Sequence, residues 1–230
     1  MPAFTPGLAH APITPFTHDL KIDWGLFEKI IGFHVRNGAQ SLALPMHTGE
    51  SVSLSDAEQR KLVEFTVRQV NGRVPVISHV SDAGTRIAVA RARHAQDAGA
   101  AAIVATTPYY WTPPPAMVLE HLGRIGGAVS VPFYVFYTPG ELGATKLDPD
   151  LIVKLIDRLP NFAGLVDASL EWQFMINTVY AAWRVRPEFP VLFPNLFRIF
   201  CQTQAEPEWR DKHALSSHAI HKPLARRPGR

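Results

Sequence analysis

The chain has one cysteine in 230 residues, Cys201. That excludes an internal disulfide framework and any cysteine-based zinc cluster. It also has no membrane-length apolar run. The longest uncharged stretch, between Ala98 and Glu120, is broken by Pro108 and by Pro113, Pro114 and Pro115, so the sequence predicts no membrane span. The start, Met-Pro-Ala-Phe-Thr, has neither a basic segment nor an apolar core of the secretory kind, and a cytoplasmic protein is expected. Charge is sparse as well. Asp, Glu, Lys and Arg make up 19% of the chain, and residues 206–230 hold six basic residues against three acids, which accounts for the whole net charge of +3. The body is therefore neutral, and a nucleic-acid surface is not expected on it.

What is present is a chain that is 47% apolar, enough to bury one sizeable core. Short apolar runs alternate with stretches of helical period, the signature of βα units on a parallel sheet. Runs at Leu8–Phe16, Ser41–Pro45, Val74–Ser78, Ala101–Ala105, Pro132–Tyr137, Phe162–Val166 and Phe189–Phe193 predict seven strands. Helices are predicted after Asp23 as N-cap, after the capping box Ser55-Asp56-Ala57-Glu58, through Ile87 to Ala98, near Met117–Gly127, after Asp148-Pro149, and from Ser169 as N-cap to about Trp183. No Gly-rich dinucleotide fingerprint follows the first strand, so the repeats suit a TIM-type (β/α)8 barrel better than a doubly wound sheet. The barrel is expected to be incomplete, with about seven βα units. After Pro194 the sequence offers neither an eighth strand nor further convincing helices, so residues 1–193 are read as the barrel domain and 194–230 as an irregular basic tail.

Three motifs at predicted strand ends carry a resemblance: His47-Thr48-Gly49-Glu50-Ser51, Thr107-Pro108-Tyr109-Tyr110 and Tyr137-Thr138-Pro139-Gly140. With them the chain resembles the dihydrodipicolinate synthase and N-acetylneuraminate lyase family over about residues 5–193. The resemblance implies a barrel enzyme that binds pyruvate as a Schiff base on a lysine and makes or breaks an adjacent carbon–carbon bond. It also implies that Tyr110 reaches a neighbouring subunit's site, and hence a homo-oligomer.

The chain departs from that pattern where the chemistry sits. The family's strand-six Gly-x-Lys reads Gly164-Leu165-Val166 here, so an isopropyl group occupies the place of the amine. The phenol expected at strand five is Phe136, and the carboxylate-clamping Arg is replaced by Glu141. None of the seven lysines is predicted at another strand end.

The polar residues left at the predicted mouth are Thr14, His47, Thr48, Glu50, His79, Tyr109, Tyr110, Tyr137, Asp167 and Ser169. His47 and Asp167 are the candidate acid–base pair, with Thr48, Tyr110 and Tyr137 as candidate substrate-binding groups. His47, His79 and Asp167 could instead meet on a metal, but no H-x-H or H-E-x-x-H spacing supports it, and neither a metal nor a cofactor is expected. Two functions stay open. One is an aldolase- or hydratase-type lyase acting on a small oxo-acid or related carbonyl compound without the usual Schiff base. The other is a non-catalytic relative or fragment that at most binds a ligand or a related subunit.

Overall fold

The computed structural model describes residues 8–139 and 145–192. Seven parallel strands, each paired with the next in chain order, form one curled sheet: β1 (Ala9–His10), β2 (Ser41–Leu44), β3 (Val76–His79), β4 (Ala102–Thr106), β5 (Phe133–Tyr137), β6 (Phe162–Asp167) and β7 (Val191–Leu192). Among the described residues six α-helices alternate with them: α1 (Trp24–Arg36), α2 (Asp56–Val70), α3 (Thr85–Asp97), α4 (Pro115–Gly126), α5 (Pro149–Arg158) and α6 (Trp172–Val185). The described residues form an incomplete TIM barrel. The expected basic tail, residues 194–230, and Glu141 lie outside the described residues.

Local chemistry sets most boundaries. The Asp23 carboxylate accepts from the Leu26 amide and opens α1, and Asp148 does the same for α5 from the Asp150 amide. At α2 both halves of the capping box form: the Glu58 amide donates to Ser55 Oγ, and Glu58 Oε2 accepts from the Ser55 amide at 2.9 Å.

Two expectations need correction. The run Leu8–Phe16 yields only the two-residue β1, because Pro12 and Pro15 have no amide to give to a ladder; Phe16 instead bridges back to Ile22. Ser169 is not the cap of α6. Glu171 holds that position, and Ser169 Oγ accepts from the Glu171 amide at 3.1 Å, a local turn placed two residues ahead of the helix.

The register divides the sheet into two faces, since partners in a parallel ladder point the same way and successive residues point opposite ways. The inner face rises in three staggered layers. Ala43, Ile77 and Ala102 form the lowest; His79, Val104, Tyr134 and Gly164 the next; Thr106, Phe136, Val166 and Leu192 the uppermost. Gly164 is required there, because a β-carbon would lie 3.0 Å from the Tyr134 ring and from the Pro190 carbonyl oxygen. The outer face, including Leu44, Ile103, Phe133, Val135, Leu165 and Phe162, is covered by the helices and is almost wholly buried.

Candidate functional site

The inner face at the C-terminal end of the strands is mostly apolar. Phe136 and Val166 are direct neighbours in the uppermost layer and pack with Met46, Ala168 and Leu192 in one cluster. The His47 ring stacks on Phe136, with centroids 5.9 Å apart and planes 11° apart, which sets an exposed imidazole over this apolar floor. Thr48 is exposed in the same short turn. The turn is fastened from below, where Thr14 Oγ1 donates to the Gly49 carbonyl at 2.7 Å. Glu50 closes it in the left-handed region (φ 56°), and its carboxylate makes no hydrogen bond among the described residues.

Beneath His47 lies a hydrogen-bonded group in which His79 alone was foreseen from sequence. Ser81 Oγ accepts from the Thr106 amide at 2.7 Å and lies 2.8 Å from His79 Nε2. With that oxygen already accepting, the hydroxyl proton is free to go to the imidazole, which then stays neutral. Burial pushes the His79 pKa down to about 4; the positive charge of Arg91 and the His47 ring act in the same direction, and a weaker contact with the Pro45 carbonyl opposes them. Arg91 itself is held by Asp56, Asp82 and the Ser81 carbonyl. Thr106 Oγ1 and Thr107 Oγ1 are buried without a hydrogen-bond partner among the described residues. Strand parity was the available signal for Thr106, which precedes the Thr-Pro-Tyr-Tyr motif and shares a layer with Phe136.

Asp167 and Tyr137 are on the other face. They pair with each other in register, one residue beyond Phe136 and Val166, and both are fully buried on the helical side. Asp167 Oδ1 accepts from the Ser169 amide at 2.9 Å. The Tyr137 ring packs 4.7 Å from that of Phe174 on α6, and burial is the main cause that raises its phenol pKa to about 12. The structure therefore brings His47 and Thr48 together at the mouth and sets Asp167 and Tyr137 apart from them, behind the sheet. Tyr110 projects from the loop after β4, 96% exposed and with φ at 80°. Beside it Tyr109 is half-buried, and burial, reinforced by the Asp82 charge, raises its pKa. The five described lysines are all exposed. Lys21 pairs with Asp19, Lys146 with Glu171, Lys61 lies over the Trp24 ring, and Lys29 and Lys154 are on α1 and α5.

Residues 5–192 match the family model described as the dihydrodipicolinate synthetase family. The chain belongs to that family. Its relatives include the 4-hydroxy-tetrahydrodipicolinate synthase of Bacillus subtilis, 34% identical over 69% of this chain, and that of Methanopyrus kandleri, 36% identical over 71%. Each match covers 54% of the relative, so this dihydrodipicolinate synthetase family member spans about half the length of the curated relatives it matches. Among solved structures, dihydrodipicolinate synthase from Aquifex aeolicus aligns with a TM-score of 0.76 at 27% identity, over 81% of this chain and 62% of that one. YagE from E. coli K12, described in complex with pyruvate, aligns with a TM-score of 0.75 at 26% identity over the same shares.

Proposed function

We propose that this chain is a non-catalytic member of its family, one that accommodates a small oxo-acid or related carbonyl compound at the inner face without forming an imine with it. The observation that carries this reading is the uppermost inner layer, in which Phe136 and Val166 stand side by side where an amine and a phenol are needed. An imine requires a neutral amine held against the carbonyl, and proximity of that kind can supply about 7 to 11 kcal/mol. A lysine on the outer helices forfeits it. The placement of Asp167 behind the sheet further weakens an acid–base pair with His47, since proton transfer needs hydrogen-bond reach of a common substrate atom. His47 over Phe136, with the exposed hydroxyl of Thr48, supports binding by one aromatic contact and a hydrogen bond.

A lyase or hydratase that uses His47 alone is the second reading, favoured by the exposure of that imidazole at the mouth. Pyruvate, present in the YagE complex, is the first ligand to try. Incubation with pyruvate and borohydride, followed by intact-mass measurement, is expected to give no adduct, and calorimetry is expected to give saturable binding that His47→Ala weakens. A stoichiometric adduct on one lysine rejects the proposal. Turnover of an oxo-acid that His47→Ala abolishes selects the second reading instead.

A further inference from the structure

A pair of histidines far from the mouth plays no part in that site. His10 is the last residue of β1 and pairs in register with Leu42, so its ring faces the helical layer; His34 lies in the last turn of α1. Their Nδ1 atoms are 3.1 Å apart, with ring centroids 5.1 Å apart and planes crossing at 74°. Neither ring is fully exposed. A hydrogen bond across this gap needs one Nδ1 protonated and the other bare, so the two rings share a single proton. The shared position suits other cations. Two imidazole nitrogens at about 2.0–2.1 Å from one zinc-like ion lie about 3.1–3.4 Å apart for ligand angles between roughly 100° and tetrahedral. The nearest cation on α1 does not oppose this, because Arg36 turns back over Gly32, about 200° around the helix from His34.

We propose that His10 and His34 form a two-imidazole site for a divalent transition-metal ion of the zinc, nickel and copper group, bound through both Nδ1 atoms with water completing the coordination shell. The Nδ1 proton moves to Nε2 of the same ring, which leaves both imidazoles neutral, and each ring rotates so that its lone pair meets the ion rather than its neighbour. Imidazole is the natural ligand for these metals. The bound ion clips β1 to the end of α1, joining segments 24 residues apart.

Such a site stabilises the folded chain by linkage, because the unfolded chain does not hold the two nitrogens together. The test must separate it from His213, His218 and His221, which the sequence places near its C-terminal end. Thermal unfolding of the full chain is measured in chelator and then in zinc chloride. The wild type is expected to melt about 5 °C or more higher when zinc is about a hundredfold above the dissociation constant, and His10→Gln and His34→Gln are expected to lose the rise. Diethylpyrocarbonate labelling of the wild type, mapped by mass spectrometry, needs no variant and is expected to show zinc protecting His10 and His34 together. An unchanged wild-type melting temperature, an equal rise in either variant, or protection confined to the three C-terminal histidines overturns the proposal.

Discussion

Gly49 occupies a position that no other residue fits without cost. A β-carbon there would lie 3.0 Å from the Pro12 carbonyl oxygen and 3.2 Å from Thr14 Oγ1, the latter held by the hydrogen bond that fastens the turn under His47. Gly49→Ala is expected to destabilise the fold by about 1–3 kcal/mol, measurable by urea unfolding. His79 makes stability depend on pH. The folded ring refuses a proton down to about pH 4, whereas the unfolded ring accepts one near 6.5, so stability falls as pH drops between those values. The gap corresponds to about 3 kcal/mol, and His79→Gln is expected to flatten the curve across that window. Val166 permits a sharper test of sheet geometry. Val166→Lys sets an amine in the half-buried apolar layer beside Phe136, where burial depresses its pKa. Borohydride trapping of this variant with pyruvate is expected to label residue 166 without turnover, and a failure to label would show that the position does not face the carbonyl.

Among the elements, α2 has the most complete local signal, and Ser55→Ala is expected to cost about 1 kcal/mol in thermal unfolding. The number and order of the strands, and the six helices, were legible because apolar runs and caps are local features. Faces were legible only where parity could be anchored. Phe136 and Tyr137 alternate, so parity turns Tyr137 away from the mouth, yet its phenol at a strand end reads as a substrate-binding group at the mouth. The same rule applied to Val166 places Asp167 behind the sheet, yet a carboxylate at a strand end reads as a site residue until the register with Tyr137 is known. The irregularity at Phe133 and Tyr134, where β6 slips by one residue against β5, is not written in any run of sequence. Neither is the Ser81 bridge from His79 to the Thr106 amide, which joins residues 25 apart through a loop.

For the whole molecule, β1 and β7 each have one strand partner among the described residues. Strand edges of this kind pair readily with other chains. Tyr110, nearly fully exposed and held at a positive φ that costs about 1–3 kcal/mol, suits a contact with a second copy. Sedimentation is expected to show concentration-dependent association that Tyr110→Gly weakens, while the same change raises the melting temperature of the dilute chain by relieving the backbone. A monodisperse monomer at all concentrations would reject this view.

The two phenols on opposite faces of β5 give the molecule a built-in optical report on its own integrity. Tyr134 is sealed against Gly164 inside the curl and Tyr137 against Phe174 outside it, and burial raises the pKa of each to about 12. Between about pH 10 and 12 the unfolded chain gives up protons that the folded chain keeps, so alkali weakens the fold. In the lower part of that interval phenolate absorbance from these two residues rises chiefly as molecules open. A stopped-flow jump into alkali therefore times the parting of the sheet from both of its sides at once, without an added dye.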